Sequence, residues 1–289
     1  MKALSTNSKF NFGKANDKIK DLNYSNAAAH NAIYRGKCLG TSAAGTSPVT
    51  QEQWNQIKAG TFEDMYIGDY WQVGNNQYTI CHFDYYYRSS DSDITAHHIV
   101  LMPRETIKDL SYTAGTSSRG SDNPSGGSAC WNLTDSTAGG YIGSHIRTVV
   151  MPACDNRVKA DFGSNHILTI SELYPNSFAS STDGRANGWA WTSTDYACDL
   201  PNETMVYGSQ VWGLGNNNTS PYWEVGIDKY QLAIMGLDES FVHNRGFYWW
   251  LRSVSSASYV AYVSDNGGAS YGAAACSLGV RPRFCIYSA

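Results

Sequence analysis

Seven cysteines, Cys38, Cys81, Cys130, Cys154, Cys198, Cys276 and Cys285, are the side chains best suited to covalent or metal chemistry in this chain. Their number is odd, their spacings are scattered and no CxxC pair occurs, so they read as reduced thiols made in a cytoplasm. His97 and His98 are adjacent. On a strand, neighbours point to opposite faces, so these two cannot jointly hold a zinc ion; one belongs in the core and the other outside. Asn202 and Glu203 in "LPNET" could supply oxygen ligands to calcium, but no Trp-Asn-Asp follows, and the pair fits a helix cap better. The glycines of "GLGNNN" lack the lysine a phosphate loop needs, and no Ser/His/Asp elbow is present. No metal and no cofactor is expected.

What remains is chemistry of recognition. Residues 253–280 contain no Lys, Glu, Gln, Met or Trp, where ordinary usage would place about four or five. They hold Ser, Ala, Gly, Tyr, Val, Asp, Asn, Cys and Leu, each reachable from an asparagine codon by changing its first two bases. That is the footprint of adenine-directed mutagenesis. Tyr offers large contact area at low entropic cost, and Ser and Asn adapt their hydrogen bonds, as in antibody loops. The candidate ligand-binding residues are Ser258, Tyr259, Tyr262, Ser264, Asp265, Asn266, Ser270, Tyr271 and Ser277. In "SYVAYVSD", alternation puts Val260, Tyr262 and Ser264 on one face and Tyr259, Ala261 and Val263 on the other. Tyr262 and Ser264 are expected to be exposed, Ala261 and Val263 buried, and Tyr259 near the rim. Gly267, Gly268 and Gly272 are expected at turns, and His243, Asn244, Phe247 and Tyr248 could extend the surface.

Two stiff segments bracket this permissive one. In "YWWLRS", Trp249, Trp250 and Leu251 are bulky and apolar; in "GVRPRFCI", Val280, Phe284 and Ile286 alternate around Arg281 and Arg283, so both predict strands with a buried face. Arg252 and Arg281 are read as structural, pairing carboxylates or backbone carbonyls.

Upstream, "PVTQEQWNQIKAG" predicts a short helix with Thr50 as N-cap, Gln53 at N3, a Val49/Trp54 staple and Gly60 at the C-terminus. "MYIGDYWQV" and "QYTICHFDYYY" predict a hairpin turning at Gly74 and Asn75. "ITAHHIVLM" predicts a strand stopped by Pro103, and residues 108–129 a long surface loop. Ile142, Ile146 and Val150 recur every fourth residue, predicting the longest helix, interrupted at Pro152. "HILTI" and "WAWTS" predict short strands and residues 213–222 a loop. The sum is an α+β architecture with two main helices, short strands and long irregular loops. Residues 1–32 read as an N-terminal attachment or assembly segment and 33–289 as one domain, with a variable region at about 243–278.

At 289 residues a sizeable core is possible. Twenty Tyr and nine Trp suit both an irregular core and a binding surface. The net charge of −4 is dispersed and no basic stripe carries aromatics, which argues against a nucleic-acid partner. No apolar run reaches membrane-spanning length and the N-terminus lacks an apolar signal-peptide region, so a soluble chain that is not secreted is expected.

The C-terminal stretch "WWLRSVSSASYVAYVSDNGGASYGAAACSLGVRPRF" resembles the variable region of proteins diversified by retroelements, many of them phage tail or receptor-binding proteins. "GTFEDMYIGDYW", "FDYYY", "HHIVLMP" and "ETMVYGSQVWG" are similar to gut-phage tail proteins of this kind, so the resemblance runs from about residue 33 to the C-terminus. It implies a C-type lectin-like fold, in the branch shared with formylglycine-generating enzymes. It implies binding rather than turnover, with an unknown protein or glycan on a host cell surface as partner. It also implies a virion tail location after synthesis in a bacterial cytoplasm, and an assembly such as a homotrimer. The enzymatic alternative within the same resemblance is an oxidase using Cys276 and Cys285. Against it, Cys276 lies in the permissive stretch and Cys285 sits among buried strand neighbours, where thiols are inert.

Overall fold

The computed structural model describes residues 25–88, 94–175, 191–212, 230–243 and 246–289. In chain order the strands are β1 (Cys38–Ser42), β2 (Tyr70–Val73), β3 (Asn76–Phe83), β4 (His98–Pro103), β5 (Ser128–Cys130), β6 (Ile170–Pro175), β7 (Trp191–Tyr196), β8 (Trp249–Val254), β9 (Tyr259–Val263), β10 (Ala269–Ala273), β11 (Ser277–Gly279) and β12 (Phe284–Tyr287). Among the described residues they form one sheet in the order β1-β2-β3-β4-β12, a second in the order β10-β9-β8-β11-β5, and a β6–β7 hairpin. The two longer α-helices are Gln51–Ala59 and Met151–Phe162. The architecture is α+β, with one hydrophobic cluster drawing on both sheets and both helices.

Local sequence explains the first helix completely. The Gln53 backbone N–H donates to Thr50 Oγ1 at 3.2 Å, and the Thr50 N–H donates to Gln53 Oε1 at 3.0 Å, a reciprocal capping box. Gly60, at φ 65°, ends the helix in the left-handed region. A side chain there would also strike His97, since an added Cβ would lie 2.6 Å from its ring. Trp54 and Ile57 turn inward.

The second helix corrects the expectation at Pro152. Residues 146–150 form a single π turn, and the α-helix proper begins at Met151, with Pro152 in its first turn, and runs to Phe162. Val150 and Met151 are themselves right-handed helical, so the π turn runs straight into the α-helix and Pro152 does not interrupt it; a π turn is one of the local adjustments by which a helix carries a proline. "HILTI" is likewise not one strand: His166 closes a 3-10 turn, Ile167 bridges Ile286, and β6 begins only at Ile170. β2 and β3 form the expected hairpin. β4 includes Pro103, paired with Tyr78, rather than stopping before it. "WAWTS" contributes β7 from Trp191 onward.

His98 is fully buried and His97 partly exposed; Asp84 accepts from the His98 backbone N–H at 2.9 Å and pairs with His97 Nδ1 at 2.7 Å. Residues 1–24 and the loop expected at 213–222 lie outside the described residues. Residues 25–30 are helical, and the Asn31 side chain exchanges two hydrogen bonds with the Phe83 backbone, at 2.8 and 3.1 Å. Among the described residues, no helix is long and apolar enough to cross a membrane.

A buried ionic network joins β8 to the rest of the molecule. Arg252 Nη1 donates to Glu172 Oε2 at 2.9 Å, to Tyr174 Oη at 3.0 Å and to Asp199 Oδ2 at 3.1 Å. Arg283 Nη2 donates to the same Glu172 oxygen at 3.1 Å, and its Nη1 donates to the hydroxyls of Tyr86 and Tyr196. Two cations thus face two carboxylates out of water. Burial works to raise the Glu172 pKa, but the Arg283 and Arg252 guanidiniums outweigh it and hold the carboxyl below its ordinary range. Arg281 is held differently. It donates to the carbonyls of Pro103 (3.2 Å) and Phe241 (2.8 Å) and lies against the rings of Phe241 and Trp249. Burial pushes its pKa down to about 9.

Candidate ligand-binding surface

β9 and β10 form an antiparallel hairpin whose register pairs Tyr262 with Ser270, Ala261 with Tyr271, Val260 with Gly272 and Tyr259 with Ala273. Directly paired residues share a face. One face therefore carries Tyr259, Ala261, Val263, Tyr271 and Ala273, and the other Val260, Tyr262, Ser270 and Gly272. At the tip, Gly267 adopts φ 81°, and the Ser264 backbone N–H donates to the Gly268 carbonyl at 2.9 Å. The Asn266 side chain accepts from the Gly268 N–H at 3.0 Å and also meets Ser264 Oγ.

Burial does not follow the expected face. Val260, Ala261 and Val263 are all inaccessible, whereas Tyr259 and Tyr271 are each 43% exposed. The exposed tyrosines share a face with Ala261 and Val263, and their rings meet edge to face at 5.5 Å. Tyr262, expected outside, is half-buried: it packs against Trp250 at 6.1 Å and the exposed Tyr248 at 5.5 Å. Ser264 is also half-buried, with its hydroxyl occupied by Gly268. The alternation argument fails because neither face is wholly solvated: Trp250 covers one, and core residues cover the centre of the other.

Asp265 and Asn266 are exposed at the turn, and Ser258, Ser270 and Ser277 are half-buried. Ser277 lies apart on β11, within 3.4 Å of the Ser128 hydroxyl. Gly272 is not a turn residue. It faces Tyr262 in mid-strand, where an added Cβ would come within 3.0 Å of that ring. Of the flanking residues, Tyr248 joins the surface, Phe247 packs on Gly279, His243 lies beside Gly267, and Asn244 lies outside the described residues.

The segment 108–137 has a second role beyond the loop that was expected. Thr137 donates to the carbonyls of Ala257 (2.7 Å, backbone) and Ser256 (2.6 Å, hydroxyl), the Asn132 N–H to that of Ala274 (2.8 Å), and the Ser117 hydroxyl to that of Ala275 (2.6 Å). This cradle grips the hairpin's backbone and leaves the Tyr259 and Tyr271 side chains outside it. The cradle is itself built on buried Asp122, which accepts from the N–H groups of Cys130 (2.8 Å) and Gly115 (2.9 Å) and pairs with His145 at 2.7 Å.

Two side chains of this region were not apparent from sequence. Trp212 lies 4.6 Å from Tyr271, ring to ring. The Tyr207 hydroxyl donates to the Gly267 carbonyl at 3.2 Å. Both belong to the "ETMVYGSQVWG" stretch, whose only local signal was a Tyr and a Trp beside glycines. There, as expected, Asn202 caps a short helix, accepting from the Met205 N–H at 2.8 Å.

The thiols do not gather around this surface. Cys285 is paired with Val100 within the first sheet, and burial raises its pKa well above the ordinary thiol range. Cys276 is half-buried in the turn between β10 and β11. Residues 197–288 match the family model of a domain of unknown function (DUF6273). That match spans β8 to β12, and so includes the whole hairpin. No curated protein and no solved structure matches the chain.

Proposed function

We propose that the chain is a recognition protein of C-type lectin-like fold, a phage tail or host-recognition component of the virion, whose β9–β10 surface is diversified by retroelement mutagenesis. The observation that carries this reading is the manner in which the hairpin is held. Its anchoring bonds end on the carbonyls of Ser256, Ala257, Ala274 and Ala275, and carbonyls are the same whatever side chains stand there. Its interior is filled by Val260, Ala261 and Val263. Exposed Tyr259, Tyr271, Asp265 and Asn266 can therefore change without disturbing either set of contacts.

The α+β architecture with two main helices and long loops supports the fold assignment, and the composition of residues 253–280 supports diversification. Recognition rather than turnover is favoured because, of the thiols an oxidase would need, Cys276 lies in the turn between β10 and β11 while Cys285 lies on β12 of the first sheet and is sealed. The partner is a protein or glycan on a host cell surface, and a homotrimer is the assembly that the resemblance favours. The test is binding of the labelled protein to intact bacteria. The Tyr259→Ala/Tyr271→Ala double variant should lose cell binding while still unfolding cooperatively, its melting temperature lowered by only a few degrees (about 2–4 °C); retention of binding would remove this surface from the function.

A further inference from the structure

Trp212 lies outside the permissive segment, yet its ring packs on Tyr271 at 4.6 Å, and Tyr271 in turn meets Tyr259 at 5.5 Å. Its backbone is fixed by a fully buried carboxylate. Glu203 Oε1 accepts from the Trp212 N–H at 2.9 Å, and Oε2 accepts from the N–H groups of Val211 and Trp212, both at 3.0 Å. Charge-assisted bonds of this kind hold a loop firmly. Among the described residues, the Trp212 indole N–H has no acceptor.

Resting on the recognition reading above, we propose that Trp212, positioned by Glu203, is a fixed aromatic anchor of the same surface, and that the partner this surface takes is a protein rather than a glycan. The ring geometry favours a protein. Tyr259 and Tyr271 stand at 80° to each other and Trp212 and Tyr271 at 58°, so these rings make no continuous plane: a sugar could stack on only one of them at a time, whereas the side chains of a protein can enter between them. Instead two exposed tyrosines project beside a half-buried Trp212 that also packs on the core, giving three separately tilted apolar rings. At its border the one charged pair described near Tyr259, Arg119 with Asp135 at 2.5 Å, is mutually neutralised. Aromatic knobs with little net charge are what protein interfaces place at their energetic centre. The variable tyrosines would then select the partner, while Trp212 supplies contact area common to every variant.

The test uses the full-length chain and, as probes, disulfide-constrained random peptides displayed on phage and selected on the wild-type protein. Peptides whose binding is lost on Tyr259→Ala/Tyr271→Ala define the surface. On Trp212→Ala those peptides should weaken at least about tenfold, with Glu203→Gln weakening them in the same direction and Trp212→Phe keeping them within about threefold. Should Trp212→Ala fail to fold, Trp212→Leu, which keeps apolar bulk without a ring, is read in its place with the same expected loss. Unchanged binding to the folded Ala or Leu variant would overturn the anchor. Binding of neutral oligosaccharides on an array, dependent on Tyr271 and Trp212, with no such peptide recovered, would overturn the class of partner and leave the recognition reading standing. Failure of every selected peptide and every sugar to depend on Tyr259 and Tyr271 would remove both.

Discussion

Ala261 and Tyr271 are paired directly across β9 and β10 and share a face, yet one is inaccessible and the other 43% exposed. Exchanging their burdens separately tests whether the hairpin divides into a fixed interior and a free rim. Tyr271→Ala removes two ring contacts, to Tyr259 and Trp212. Such contacts are worth roughly 0.5–1.5 kcal/mol each when buried, so for a half-exposed ring the pair should cost about 1 kcal/mol. Ala261→Tyr places a phenol ring where no space exists, and the cost should reach the upper end of the overpacking range, about 3 kcal/mol. In a domain of this size those costs correspond to melting shifts of about 2–4 °C and about 6–12 °C. Urea denaturation followed by tryptophan fluorescence reads both as midpoint changes at constant slope. Equal costs for the two variants, or an Ala261→Tyr protein as stable as the wild type, would refute the division.

Other consequences concern the core. Glu172→Gln leaves Arg252 and Arg283 short of one of their two carboxylates and should cost about 3–5 kcal/mol, measured by the same denaturation curves. Because the Glu172 pKa is lowered in the folded state, its contribution is present above the ordinary value of 4.5 and lost as pH falls through the folded value. The Glu172→Gln variant should therefore show a shallower loss of stability than the wild type below about pH 4.5. His82 is pushed down to about 3 by burial, and accepts from the Ala233 N–H at 3.0 Å, so it stays neutral when folded. Its contribution is present above 6.5 and declines as pH falls below it, so His82→Gln should flatten the stability profile between 6.5 and 3. Of the seven thiols, five are buried, and labelling of the native protein with an aromatic disulfide should reach Cys38 quickly, Cys276 slowly and the others only on unfolding.

Features carried by neighbours in sequence were legible in advance: the Thr50/Gln53 capping box, the Gly60 stop, the β2–β3 turn and the Asn202 cap each depend on a few adjacent residues. Pro152 misled because it sits inside a continuous helix just after a π turn, and a π turn leaves no periodic trace. The network of Glu172, Asp199, Arg252 and Arg283 was beyond reach, since its partners come from segments 27 to 111 positions apart and only tertiary packing brings them together. The permissive composition of residues 253–280 located the candidate surface, but the choice of Tyr262 over Tyr259 failed. Period-two alternation identifies an outer face only where one side of a sheet meets water, and here Trp250 covers part of one side and core residues the centre of the other. Trp212 was missed because its contact with Tyr271 is made only by tertiary packing, and Glu203, which fixes its backbone, reads locally as part of a helix cap.

The central claim is tested most directly by sequencing the DNA that flanks the gene. The account predicts a reverse transcriptase and a near-copy of the 3′ end that differs from the gene only where the copy carries adenines. Those differences should fall in the codons of surface residues such as Tyr259, Asp265, Asn266 and Tyr271, and be absent from those of Val260, Ala261 and Val263. A flanking region with no such copy, or differences that fall on the buried residues as often as on the exposed ones, would contradict it.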